Sequence, residues 1–97
     1  TDEGWMGYLS KENLLFVKQF PAPPKATYGE MLGLTCCVFY WQDRLVELEP
    51  IGPLEELQPG QTASFTETWA IHDFQTDEGG AVDLAAVAAA AAAIAPP

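Results

Sequence analysis

Two glutamates placed two residues apart, Glu47 and Glu49, have the type and spacing that most directly suggest chemistry in this chain. They fall in an alternating apolar and polar run, Leu45 to Glu49, which predicts a β-strand. Residues i and i+2 of a strand share a face, so the two side chains are expected about 6.5–7 Å apart along the strand. Paired carboxylates near this separation carry out inverting sugar hydrolysis. The alternative is a pair of solvated glutamates on an exposed strand face, where charged residues usually lie.

Prolines and glycines mark off the elements that would position this pair. The strand is predicted to end at Pro50, and the QPGQ segment at 58–61 predicts a turn because Pro-Gly fits the central positions of a type II turn. A long final strand is predicted from Thr62 to Phe74. Its apolar face, which includes Trp69 and Ile71, is expected to face the core, and its threonine-rich face is expected to be solvated.

Three more strands are predicted earlier in the chain. Trp5–Leu9 and Leu14–Phe20 predict two strands joined by a turn at 10–13. Because Leu14–Phe20 has no cleanly polar face, we expect it to lie between two layers. A Pro-rich loop at 21–30 precedes Met31–Trp41, the most apolar run, which is too short for a membrane helix and predicts a central buried strand.

Successive strands joined by short turns predict an all-β fold, an antiparallel β-sandwich over residues 1–74. Residues 75–80 predict a flexible hinge, and residues 81–97 are Ala-rich and of low complexity. Two alternatives stay open for this last segment: a helix docked on the β domain, with Asp83 near its N-terminus, or a partly ordered tail, because so short a helix is marginal alone. The larger apolar side chains of the segment recur at helical spacing: Leu84, Val87 and Ile94.

The charge balance narrows the classes of partner. Four Lys and Arg against fourteen Asp and Glu give a net charge of −10, which argues against nucleic acid and anionic membrane surfaces. No signal peptide is predicted, and the Ala-rich run is too short and too weakly apolar to span a bilayer. No Cys and His spacing suggests a metal site, and no cofactor is expected. The adjacent Cys36 and Cys37 are expected to be buried free thiols on opposite strand faces, which favours a reducing, cytoplasmic setting.

The order of these features resembles the galactose-mutarotase-like superfamily of aldose epimerases and, within it, the uncharacterised DUF4380 group. The resemblance covers about residues 4–74 and corresponds to the C-terminal third of a full-length member, whose fold is a two-sheet supersandwich. The similar phrases are WMGY at 5–8, LFVKQF at 15–20, ELE at 47–49 with IGP at 51–53, LQPGQ at 57–61 and TETW at 66–69.

The resemblance implies a role for Glu49, because in the superfamily the catalytic base is a glutamate at the end of a late strand. Superfamily epimerases pair this base with histidines that come earlier in the chain, the general acid among them. The one histidine here, His72, follows Glu49. Ring opening of a sugar needs both a base and an acid, so the resemblance implies a sugar-binding domain or fragment that is not catalytic alone. We expect His72 itself to be a half-exposed strand residue.

Other side chains are candidates for binding a sugar. Lys18 is the only charge in an otherwise apolar strand, so it either extends to solvent or pairs with a carboxylate such as Glu49. Glu67 lies on the apolar face of its predicted strand and needs a partner or a sheet edge. Aromatic rings stack on sugars, although in a small core most rings are simply buried. The aromatic candidates are Trp5, Tyr8, Tyr28, Trp41 and Trp69, of which we single out Trp5 and Trp41 as ligand-binding residues together with Lys18 and Glu47.

Two functions are therefore set against each other. The first is a carbohydrate-binding, mutarotase-like domain with Glu49 as its candidate base. The second is a non-catalytic β-sandwich that associates with itself or with another protein. About 75 residues of β-type sequence cannot close a supersandwich, and open sheet edges and apolar faces need covering, so a homodimer or higher homo-oligomer is expected.

Overall fold

A computed structural model of the chain describes residues 3–29, 34–76 and 82–93. Its elements are β1 (Glu3–Leu9), β2 (Leu14–Pro21), β3 (Cys36–Trp41), β4 (Leu45–Pro50), β5 (Thr68–Asp73) and α1 (Leu84–Ala92). The strands form a three-stranded sheet of order β1-β2-β5, called sheet A, and a two-stranded sheet of β3 and β4, called sheet B. All strand pairs are antiparallel, which confirms the prediction of a mostly β fold with antiparallel strands.

Sheet A is built on the predicted hairpin of β1 and β2. Its register runs from Glu3 opposite Pro21 to Leu9 opposite Leu15. The turn is held by the Ser10 hydroxyl, which accepts the backbone N–H of Glu12 at 3.2 Å. Asn13 follows with a φ of 60°, a left-handed conformation that asparagine adopts more readily than most residues. β5 then pairs with the other edge of β2, so β2 is the middle strand.

Helix α1 covers one face of sheet A. Leu15 and Val17 of β2 are 1% and 0% exposed, and Ala91 of the helix packs against them with Val87 beside it. The Gln19 side chain donates to the Ala91 carbonyl at 3.4 Å, near the C-terminal end of the helix. A helix of this length gains its stability from such packing rather than from propensity. The docked helix is therefore the correct alternative for the described part of the Ala-rich segment.

The start of α1 is capped as the sequence suggests. The Asp83 carboxylate accepts the backbone N–H groups of Ala85 and Ala86 at 3.0 and 3.2 Å. The predicted apolar stripe is only partly used, because Val87 packs on the core whereas Leu84 is 78% exposed. Ile94, the third residue of that stripe, lies outside the described residues.

The opposite face of sheet A is turned towards sheet B. Met6 and Phe20 are buried on this face, and the Phe20 ring lies 6.4 Å from that of Phe65. The Lys18 ammonium donates to the Leu48 carbonyl of β4 at 2.7 Å and so joins the two sheets. Since β2 has buried side chains on both faces, the prediction that it lies between two layers is confirmed.

The predicted long final strand is shorter than expected. β5 begins at Thr68 rather than Thr62, and residues 61–67 pair with no strand. The last partner of β5 on β2 is Gln19, and two residues further along β2 comes Pro21, which has no N–H to donate to a ladder. The turn before it is as predicted: Gln61 N–H bonds the Gln58 carbonyl at 3.0 Å, and Gly60 has a φ of 87°.

The predicted core face of β5 is also wrong. Trp69 and Ile71 are 62% and 66% exposed, whereas Thr68 and Ala70, on the other face, are half-buried. The reason is the position of α1, which covers the sheet face that carries Leu15 and Val17. Pairing of Val17 with Ala70 places the small side chain of β5 under the helix.

The prediction of a central buried strand over Met31–Trp41 is wrong as well. The strand begins at Cys36 and pairs only with β4, and residues 30–33 lie outside the described part of the chain. Cys36 is half-buried and Cys37 is exposed, so the two thiols are free, as predicted, but not buried. An apolar run indicates that a strand can be covered, but among the described residues no element covers the outer side of β3, where Phe39 and Trp41 are exposed.

Candidate functional site

A cleft of about 550 Å³ lies between sheet A and sheet B. Sheet A supplies one wall through alternate residues of β1, β2 and β5, and sheet B supplies the other through β3 and β4. The turns that close the two hairpins add polar groups. The lining residues are Tyr8, Ser10, Lys11, Glu12, Phe16, Lys18, Tyr40, Asp43, Arg44, Leu45, Val46, Leu48 and Trp69.

Trp69 presents an aromatic surface to this cleft and is held by three contacts. Its Nε1 donates to Glu67 Oε2 at 2.6 Å. The Phe16 ring meets it edge to face, with centroids 5.6 Å apart and planes at 79°. The Lys18 ammonium lies 4.8 Å from the indole centroid, within the range of a cation–π contact. An indole that is 62% exposed is thereby fixed in one orientation.

Lys18 is the polar centre of the sheet A wall. Besides the Leu48 carbonyl and the Trp69 ring, its ammonium lies 3.7 Å from Glu67 Oε2. Of the two alternatives that the sequence left open for Lys18, the structure shows the second, pairing with a carboxylate. The carboxylate is that of Glu67 rather than that of Glu49. The pair also gives Glu67 the partner that its apolar strand face required.

The wall formed by sheet B ends in a tight turn. Gln42 and Asp43 have φ values of 46° and 56°, which suit the two central positions of a type I′ hairpin turn. The Tyr40 hydroxyl donates to Asp43 Oδ1 at 2.5 Å and accepts the Asp43 N–H at 3.1 Å. These bonds fix the tyrosine ring, which lines the cleft together with Arg44.

Glu47 and Glu49 lie away from the cleft, on the outer face of sheet B. Both are exposed, and the half-buried residues of β4 alternate with them. Hydrogen bonding to the Glu49 carboxylate, then desolvation, then repulsion from the Glu49 charge raise the pKa of Glu47. Because both carboxylates face solvent on that outer face, they do not flank a ligand in the cleft, as the two carboxyl groups of a sugar hydrolase must.

The ligand-binding residues singled out from the sequence are thus divided among three surfaces. Lys18 lines the cleft. Trp41 shares the outer face of sheet B with Glu47 and Glu49, because Trp41 pairs with Leu45 at the end of the same ladder. Trp5 pairs with Gln19 and so lies on the helix side of sheet A.

Glu49 and His72 do not come together either. Glu49 belongs to sheet B, whereas His72 is an exposed residue of β5 in sheet A, opposite Leu15 on the helix side. A base and an acid must reach the same sugar to open its ring. These two side chains do not form such a pair.

The sequence predicts only part of this cleft. Lys18, Tyr8 and Trp69 are among its sugar-binding candidates, although Trp69 is also predicted to face the core, whereas Tyr40 and Phe16 fall in runs that predict buried strands. A usable signal was the spacing of Glu67 and Trp69, since residues two apart on an extended chain share a side and an indole N–H seeks an acceptor. The approach of sheet B to sheet A has no sequence signal, because it depends on non-local contacts.

Within the described ranges, no group of three or more His, Cys, Asp and Glu side chains is arranged to hold a metal ion. In the same part of the chain, no helix has the length and apolar character needed to cross a membrane. Comparisons with models of protein families, with curated proteins and with solved structures gave no match.

Proposed function

We propose that this chain is a carbohydrate-binding β domain that holds a sugar ring in the cleft between its two sheets. The observation that carries the proposal is the fixed and exposed indole of Trp69 in the wall of that cleft. Sugars present apolar C–H faces that stack on aromatic rings, and a ring that is already oriented loses little entropy on binding.

The size and lining of the cleft support the same conclusion. A volume of about 550 Å³ falls within the range of small-molecule sites, which are mostly apolar with a few well-placed polar groups. Tyr8 and Tyr40 add aromatic surface with hydroxyl groups, and Ser10 and Asp43 add further hydrogen-bonding groups for sugar hydroxyls. The proposal also draws on the resemblance to mutarotase-like proteins, which implies a fold of two antiparallel sheets around a sugar site.

We propose binding rather than turnover. Glu49, the base that the resemblance implies, lies on the outer face of sheet B, away from the cleft. Glu49 therefore cannot act as a catalytic base on a ligand that is bound in this cleft. The proposed domain binds its sugar and leaves it unchanged.

Calorimetric titration with neutral hexoses such as galactose and glucose tests this function. Replacing Trp69 by Ala is expected to weaken binding about 2- to 10-fold, the contribution of one aromatic contact. Trp41→Ala is the matched control, because Trp41 is similarly exposed but does not line the cleft. Equal effects of the two substitutions, or no heat with any hexose, would contradict the proposal.

Self-association is a second candidate function, and the accessible surface favours it. The chain exposes 7360 Å², against about 5,400 Å² expected for a folded monomer of its mass. Its radius of gyration is 15.7 Å, compared with about 13 Å for a compact domain of this length. We propose that a second copy covers the outer face of sheet B, where Phe39 and Trp41 are exposed.

Sedimentation over a range of micromolar concentrations tests the second candidate. Phe39→Ser is expected to shift the protein to monomer, because it removes an apolar side chain from the proposed interface. Leu54→Ser is the control, since Leu54 is also exposed but lies outside both sheets. A wild-type protein that sediments as a monomer throughout would eliminate this candidate.

A further inference from the structure

The basic residues of this chain are concentrated at the cleft. The sequence contains four Lys and Arg residues, and three of them, Lys11, Lys18 and Arg44, line it. The fourth, Lys25, lies in the loop after β2 and does not. Of the ten acidic residues within the described ranges, two, Glu12 and Asp43, are part of the lining. The cleft thus differs in charge from the rest of a protein whose net charge is −10.

The three basic side chains are not equivalent. The Lys18 charge is already engaged by Glu67 and the Leu48 carbonyl. Among the described residues, neither Lys11 nor Arg44 has a carboxylate within 4.0 Å, so both charges stay available to a ligand. The Arg44 guanidinium lies 5.7 Å from the centroid of the Trp41 ring, a contact that leaves its charge unneutralised. Because Trp41 lies on the outer face of sheet B, the guanidinium leaves this ring when it binds an anion in the cleft.

Lys11 and Arg44 occupy corresponding places in the two sheets. Lys11 is in the turn between β1 and β2, and Arg44 is in the turn between β3 and β4. Both turns border the same cleft as the Trp69 ring. A ligand whose ring stacks on the indole can therefore direct a substituent towards the turns, where the unneutralised cations lie.

We propose that the sugar held in the cleft carries an anionic group, a carboxylate or a phosphate, which Lys11 and Arg44 bind. This rests on the proposed sugar-binding function and names the class of its ligand. An acidic protein repels an anion over most of its surface, so a cleft with two unpaired cations is where such a ligand is retained. Arginine in particular matches the planar or tetrahedral oxygens of these groups through paired N–H donors.

Calorimetric titrations with galactose, galacturonate and galactose 6-phosphate at low ionic strength test the inference. Galactose measures the neutral ring alone, and the two anions distinguish a carboxylate from a phosphate. At least one anionic sugar is expected to bind about 3- to 10-fold more tightly than galactose, and added salt should reduce the difference.

The double substitution Lys11→Gln with Arg44→Gln is expected to abolish that preference, so that the variant binds the anionic sugars no more tightly than it binds galactose. Lys25→Gln removes the same kind of charge outside the cleft and should leave the preference intact. Circular dichroism melts check that each variant is folded.

Three outcomes would contradict the inference, and they differ in whether they also contradict the sugar-binding function. If galactose binds and neither anionic sugar binds more tightly, the anion preference is wrong and the sugar-binding function stands. If no sugar of any charge binds, the sugar-binding function is wrong and the inference falls with it. A preference that survives the double substitution would also refute the role of Lys11 and Arg44.

Discussion

The ammonium of Lys18 lies 3.7 Å from the carboxylate of Glu67, and this pair stands between the two sheets. Lys18 belongs to the middle strand of sheet A, and through the Leu48 carbonyl it also contacts sheet B. Because the lysine side chain is only 13% exposed, water can replace these contacts only in part. The relative placement of the two sheets therefore depends strongly on one side chain.

Replacing Lys18 by Met should lower the free energy of unfolding by about 1.5–3 kcal/mol, the range for a hydrogen bond to a charged group. The methionine keeps the apolar stem but leaves the Leu48 carbonyl without its donor. Urea denaturation measures the change. Glu67→Gln is the control, because glutamine still accepts the Trp69 N–H and Lys18 keeps Leu48, so a smaller loss is expected. A Lys18→Met protein as stable as the wild type would contradict the assigned role.

Glu47 should make stability depend on pH. Its pKa is raised above the usual 4.5, chiefly through hydrogen bonding to Glu49, so the folded state binds the proton more tightly than the unfolded chain. The stabilisation is fully present below the unfolded pKa and is lost as pH rises through the folded pKa. Glu47→Gln should therefore raise the melting temperature at pH 7 and have little effect near pH 3.

Melting curves of Glu47→Gln and of Glu55→Gln, recorded from acid to neutral pH, check this expectation. Glu55 is exposed in the segment after β4, so its substitution should not reproduce the pH-dependent gain. A Glu47→Gln protein that is less stable than the wild type at pH 7 would show that the Glu47 charge is favourable in the folded state.

The contact of α1 with sheet A can be tested by enlarging an alanine. Ala91 is 1% exposed and packs against Leu15 and Val17. A leucine at this position is too large for the packed interface, so Ala91→Leu should lower the free energy of unfolding by about 1–3 kcal/mol. Ala88→Leu has the same change in helix propensity on an exposed position and should be nearly neutral. Thermal and urea unfolding compare the two. Equal stability of the two variants would mean that the helix does not dock through Ala91.

The cysteines should differ in reactivity. Cys37 is exposed and should react quickly with a thiol reagent in the native state, whereas the half-buried Cys36 should react more slowly. Labelling of the Cys36→Ser and Cys37→Ser variants separates the two rates. Protection of both thiols until unfolding would indicate that another surface covers β3, as a second copy of the chain would.

Local features of this fold could be predicted from the sequence, and non-local ones could not. The hairpin of β1 and β2, the turn at Gly60 and the Asp83 cap depend on neighbouring residues, so their patterns were sufficient. The burial of β3 and of the Trp69 face was predicted wrongly, because hydrophobicity shows which side chains benefit from cover but not which element supplies it. For the same reason the sequence does not predict the cleft, whose walls come from distant strands, although it does indicate Lys18, Tyr8 and Trp69 as candidate sugar-binding residues.

The central position of β2 has a consequence for the order of folding. β1 and β2 can pair as soon as they form, as can β3 and β4, because each pair is joined by a short turn. The second edge of β2 waits for β5, and Gln19 meets Thr68 only by closing a loop of roughly fifty residues. Such distant contacts slow folding. We therefore expect two hairpins to form early and β5 and α1 to be added together in a later step. Until that step, the face of β2 that carries Leu15 and Val17 is exposed and can associate with other chains.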